Sequence, residues 1–161
     1  MKTENIVQRS ILLILILFVV SCEEDDGGFH QISGIESQVH NKINEYRANQ
    51  GLNELVSQYV MFKEARIHSK QMAKDMIPAD GTGMDERFTE VKNKLGGTDT
   101  GYVILTCNYY SADSIVNKML SSQENIDIIE QNYTQSGVGI VQNDKGLIYL
   151  THMFLNIPPA D

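Results

Sequence analysis

The sequence predicts an α+β domain in which helices cover a sheet whose last two strands run antiparallel. Three observations carry this. Apolar residues recur at helical spacing through residues 34–76. A run of β-formers, Tyr102-Val103-Ile104-Leu105-Thr106-Cys107, then replaces the helical signal. Near the carboxyl end, residues 137–141 and 147–154 form two strand-like runs around Asn143-Asp144-Lys145-Gly146, a strong turn that makes them a hairpin. Helices, a strand, a helix and a strand pair fit a sheet covered by helices.

Each element has its own grounds. Ile35, Val39, Ile43 and Tyr46 lie four, four and three residues apart, one face of a helix over 34–50, and Gly51 stops it. Glu36, Lys42, Glu45 and Arg47 are expected on its solvated side. A second helix is expected over 56–76, with Val60, Met61, Ala65, His68, Met72 and Met76 turned to the core and Pro78 beyond its end. Residues 77–83 have loop grammar, with one proline and two glycines. A short helix over 85–95 closes at Gly96-Gly97. Ser111 caps a helix over 112–121 that turns Ile115, Val116, Met119 and Leu120 inward.

The amino end reads as an export signal. Lys2 and Arg9 precede an apolar run from Ile11 to Val20, and Ser21-Cys22 follow. The run is too short for a ~30 Å bilayer core, which takes ~20 residues. Residues 1–21 are therefore expected to be removed as a signal peptide. The sequence ending in Cys22 resembles the lipobox of bacterial lipoproteins, which implies an acylated Cys22 and a membrane anchor. Glu23-Glu24-Asp25-Asp26-Gly27-Gly28 resembles the surface-export signal of Bacteroidota lipoproteins. That likeness implies attachment to the outer membrane with the body displayed outward. Residues 22–33 then form an acidic flexible tether, and residues 34–157 are of the usual size for one domain.

Composition limits the partners. The chain has 161 residues and a formal charge of −8; loss of Lys2, Glu4 and Arg9 with the signal leaves −9. Such a surface repels phosphate backbones, so nucleic acid is excluded as a partner. Once Cys22 is assigned to lipid, Cys107 is the one other thiol, and one thiol closes no internal disulfide. It lies in an apolar stretch without basic neighbours, which suits a buried small residue rather than a nucleophile.

Several fragments resemble the CAP domain, also called the SCP-like family. They are Ile43-Asn44-Glu45-Tyr46-Arg47 with Gly51-Leu52 and Leu55, then Ala65, His68-Ser69 and Met72-Ala73. Ser122, Gly137-Val138-Gly139-Ile140, Tyr149-Leu150-Thr151 and Phe154 continue the match. The resemblance covers about residues 35–155. It implies a three-layer α-β-α sandwich with a mainly antiparallel central sheet. It also implies a cleft in which two histidines and two acidic residues can hold zinc. Three of those positions carry no such ligand here. Ala79 stands at the first histidine, Gly101-Tyr102-Val103 at the first glutamate, and Asn125, three residues after Ser122, at the second histidine. No metal and no cofactor are therefore expected.

The expected cleft residues are Ala79, Asp80, Tyr102, Glu124 and Asn125, together with His68. The expected function is a surface-anchored extracytoplasmic binding module for an outside protein or a small molecule. Two alternatives stand beside it. One is a hydrolase using His68 or His152 with a nearby acid; Glu64, one helical turn before His68, could orient that imidazole. The other is a carrier of an apolar ligand such as a lipid, for which the chain's methionines would serve.

Overall fold

The computed structural model describes residues 30–31, 34–108 and 111–159. Cys22 and the signal and tether residues before His30 lie outside them. Among the described residues five strands form one sheet in the order β1-β4-β5-β3: β1 (His30–Gln31), β4 (Gln135–Gln142), β5 (Ile148–Leu155) and β3 (Thr100–Cys107). The fifth, β2 (Val56–Ser57), pairs parallel to β4; every other pairing is antiparallel. The helices are α1 (Ile35–Asn49), α2 (Tyr59–Ala73), α3 (Met84–Leu95), α4 (Ala112–Met119) and α5 (Gln123–Ile129).

Strand alternation sorts the core into two sides. Ile148, Leu150 and Phe154 of β5 pack with Val39 and Ile43 of α1 and Ile115 and Met119 of α4. Met153 and Leu155 pack with Met61 and Ala65 of α2 and Phe88 and Val91 of α3. A central sheet with helices on both faces is the three-layer α-β-α sandwich.

The hairpin forms where expected. Asn143 Oδ1 accepts from Lys145 N and Leu147 N, both at 3.0 Å, and Gly146 takes φ 80°. The second helix is shorter than predicted. Val56 and Ser57 are strand, the helix ends at Ala73, and Met76 is 65% exposed. Asp75 ends it in the left-handed region (φ 55°), where Met76 N reaches back to Gln71 O at 2.9 Å. Strands β1 and β2 and helix α5 had no clear signal in the sequence. His30–Gln31 fall within the segment read as tether, yet they pair with Gln142 and Val141.

Glu36 and Arg47, expected in solvent, are buried at 6% and 1% exposure. Glu36 lies 3.2 Å from Arg66 of α2. Arg47 Nε donates to Asn53 O (3.1 Å), Nη1 to Gln131 O (2.9 Å) and to Ile129 O, and Nη2 to Tyr133 O (3.2 Å). Helical periodicity cannot foresee this, because all four acceptors come from segments that fold onto the end of α1.

Helix α2 sits against the sheet because β4 has no side chain at two positions. A Cβ on Gly139 would fall 2.2 Å from Arg66 N, and one on Gly137 2.3 Å from Phe62 N, both backbone atoms that cannot step aside. Gly139→Ala should therefore destabilise the fold by about 3 kcal/mol as α2 is forced off the sheet. A urea midpoint unchanged from wild type would refute the close packing.

Candidate functional site

A cleft of about 800 Å³ runs along β3, the sheet edge opposite β1. Its floor is Thr100, Gly101, Tyr102 and Ile104. One wall is the loop with Ala79, Asp80 and Gly81 plus Asp85 and Phe88 of α3. The other is Glu124, Asn125 and Ile128 of α5 with Tyr133. Five residues named from the sequence thus line one cavity: Ala79, Asp80, Tyr102, Glu124 and Asn125. Asp85, Phe88, Thr100 and Tyr133 were not named. Two glycines give the phenols of the lining their place. A Cβ on Gly81 would strike the Tyr102 hydroxyl oxygen at 2.1 Å, and one on Gly101 the Tyr133 hydroxyl oxygen at 2.3 Å. Each glycine makes room for a phenol.

Asp80 Oδ1 accepts from Thr82 N (2.8 Å) and Thr82 Oγ1 (2.6 Å), which holds its carboxyl below the usual carboxylate range. Asn125 Nδ2 donates to Met119 O at 3.0 Å, tying α5 to the end of α4. With Asp85 and Glu124, the walls carry three carboxylates, and among the described residues no lysine or arginine lines the cavity. Phe88 and Tyr102 pack with ring centroids 6.5 Å apart. Such a lining suits a cationic or neutral polar ligand lying against aromatic faces.

His68 does not line the cleft. It is fully buried, and Nε2 lies 3.1 Å from Thr82 O and Nδ1 2.8 Å from Thr151 Oγ1. A carbonyl only accepts, so Nε2 carries the proton and Thr151 donates to Nδ1. Ser69 Oγ lies 3.0 Å from Thr151 Oγ1 and 2.9 Å from Gly139 O. Burial lowers the His68 pKa and keeps the ring neutral. Its work is to pin the Asp80 loop by its backbone. Glu64 does not orient it; that carboxylate pairs with Arg87 of α3 at 3.1 Å.

His152 is also fully buried, on the α1 side of β5, and its ring packs at a tilt against Phe154, 4.1 Å between ring centroids. Neither ring nitrogen has a hydrogen-bond partner among the described residues. Burial, then the nearby His40 and Arg47, push its pKa well below the ordinary value. His40 Nδ1 lies 3.0 Å from Ser136 Oγ, a distance that invites a nucleophile reading. Proton accounting removes it. Leu55 N donates to Asn44 Oδ1 (2.9 Å), which turns Asn44 Nδ2 toward His40 Nε2 (3.3 Å). Nε2 therefore accepts, Nδ1 bears the hydrogen, and Ser136 receives it rather than losing its own. The hydrolase expectation thus lacks a histidine in the open cleft.

These histidines give a signed pH dependence. Their folded-state pKa values are lowered, so the unfolded chain binds protons near pH ~6.5 that the fold refuses. Their contribution to stability should be full above that pH and fall as pH drops from about 7 to 5, while the raised pKa of buried Glu36 acts in the opposite sense at the acid end. His152→Leu should flatten this fall in urea titrations. A variant slope equal to wild type would exclude His152 as a cause.

The family follows from sequence matching. The Cysteine-rich secretory protein family (CAP) matches residues 40–154, and the chain belongs to this family. Among solved structures, it resembles an outer surface protein from Borrelia burgdorferi. The TM-score is 0.70 at 14% identity, over 81% of this chain and 98% of that one. It also resembles an extracellular protein containing an SCP domain from Bacillus anthracis (TM-score 0.64, 21% identity, 77% of this chain and 41% of that one). A third is a cysteine-rich secretory protein from Staphylococcus aureus (TM-score 0.62, 15% identity, 76% and 38%). The chain spans less than half of the latter two, and at these identities the likeness shows the fold alone. No curated protein sequence matches the chain.

Proposed function

We propose that this chain is a lipid-anchored, surface-displayed binding module whose cleft along β3 takes a cationic or neutral polar ligand without a metal centre. The carrying observation is the cleft's lining: three carboxylates, an amide and aromatic rings, with His40, His68 and His152 all outside it. Zinc is a poor fit. Asp80 is already committed to Thr82, and among the described residues no group of three or more His, Cys, Asp or Glu could hold a metal ion. A lipid carrier would want an enclosed apolar cavity, whereas this cleft is open and acidic. The anchor rests on the sequence around Cys22. No helix among the described residues is long and apolar enough to cross a membrane.

The anchor and the cleft are tested separately. Palmitate labelling and membrane flotation should be lost in Cys22→Ser, and external protease should digest the wild-type protein on intact cells. An oligolysine peptide should bind the soluble domain at low salt and lose about tenfold in affinity in Asp80→Asn/Glu124→Gln, roughly 1.4 kcal/mol. Equal labelling of both chains would remove the anchor. Equal affinity of both domains would remove the acidic cleft as the binding surface.

A further inference from the structure

We infer that the anchored protein presents its cleft away from the membrane, so that the ligand arrives from the surrounding fluid. This rests on the Cys22 anchor and adds an orientation to it. The register of β1 supplies the geometry. His30 pairs with Gln142 and Gln31 with Val141, antiparallel, on the outer edge of β4. The chain from Cys22 therefore joins the sheet beside the β4–β5 turn. Gln142 pairs with Ile148, and Ile148 with Cys107, so His30 shares a cross-strand row with the far end of β3.

The cleft lies at the diagonal corner. Thr100 pairs with Leu155, seven residues along β3 from Cys107. The floor reaches from Thr100 to Ile104, so three to seven steps at ~3.3 Å and three strand spacings at ~4.8 Å put the cleft roughly 17–27 Å from His30. Only eight residue steps separate Cys22 from His30. Eight steps span at most ~28 Å. Turning the cleft onto the bilayer would lift His30 by roughly 17–27 Å, much of the stretched reach, whereas the opposite pose needs no stretching.

Charge favours the same pose. The cleft's Asp80, Asp85 and Glu124 would be repelled by anionic headgroups. The opposite corner carries Lys145 in the hairpin turn beside Asp144, and Lys118 lines a surface pocket there with Thr106 and Leu147. A lipid drawn from the protein's own bilayer is thus badly placed to enter the cleft, and a water-borne ligand is well placed.

The test uses the mature acylated chain in liposomes of phosphatidylcholine and phosphatidylglycerol that contain an acceptor-labelled lipid. A donor dye is placed at Lys145→Cys or at Gln123→Cys, the exposed neighbour of Glu124. Energy transfer to the bilayer should be about twofold or more stronger from position 145, given the roughly 17–27 Å between His30 and the cleft. Equal or reversed transfer from liposome-bound protein would overturn the orientation and leave the anchor standing. If wild type floats no better than Cys22→Ser, the anchor reading itself falls, and the orientation with it.

Discussion

Arg47→Ala should lower the stability of the fold by about 3–5 kcal/mol, because it strips the hydrogen bonds from four backbone carbonyls at once. Those carbonyls belong to Asn53, Ile129, Gln131 and Tyr133. Three of them lie at and just past the end of α5, where the helix dipole favours a cation; of these Gln131 O also accepts from Tyr133 N at 2.8 Å. The guanidinium fork reaches all of them from one side chain, and it is 1% exposed. Arg47→Lys keeps the charge but offers a single nitrogen to acceptors spread around the fork, so its loss should fall between alanine and wild type. Urea unfolding of the three chains checks this. An alanine variant within about 1 kcal/mol of wild type would mean that water replaces the guanidinium at little cost, roughly the size of an ordinary surface change.

Ala79→His/Asn125→His should create zinc affinity where the parent chain should show none. Both positions line the cleft, one from each wall, with Asp80 and Glu124 beside them. Asn125 already points Nδ2 at Met119 O, 3.0 Å away. A histidine there could give Nδ1–H to that carbonyl and turn Nε2 toward the cavity, the arrangement that orients metal-binding imidazoles. Two imidazoles and a carboxylate make a three-ligand open site. Binding near micromolar, about 8 kcal/mol, is the expected result by competition against a chromophoric chelator. Affinity no better than that of either single variant would show that the two walls stand too far apart to share an ion.

The sequence was most legible where structure is set by near neighbours. Ile35, Val39 and Ile43 repeat at helical spacing, and all three are buried. Asn143 makes the hairpin turn with its own side chain, so the turn can be read without the sheet. Local reading failed where distant partners decide. The spacing of Glu64 and His68 suggests a pair, but Arg87, twenty-three residues from Glu64, takes the carboxylate. Strands β1 and β2 have two residues each, and only their register with β4 makes them strands. Helix α5 is seven residues long, too short for a periodic stripe. The cleft could be named in part because its walls follow recognisable elements. Its aromatic side needed the folded positions of Gly81 and Gly101.

The manner in which His68 holds the Asp80 loop bears on how this surface can change over generations. The imidazole grips Thr82 by its carbonyl oxygen, a group that every residue type carries. Ala79, Asp80 and Glu124 are exposed and take no place among the buried core residues. Substitutions at such places shift stability by only about 0.5 kcal/mol. New chemistries can therefore be written onto the rim while the strands beneath keep their pairing. A lineage that discarded two imidazoles there would have kept its architecture intact and retained room to acquire a different taste.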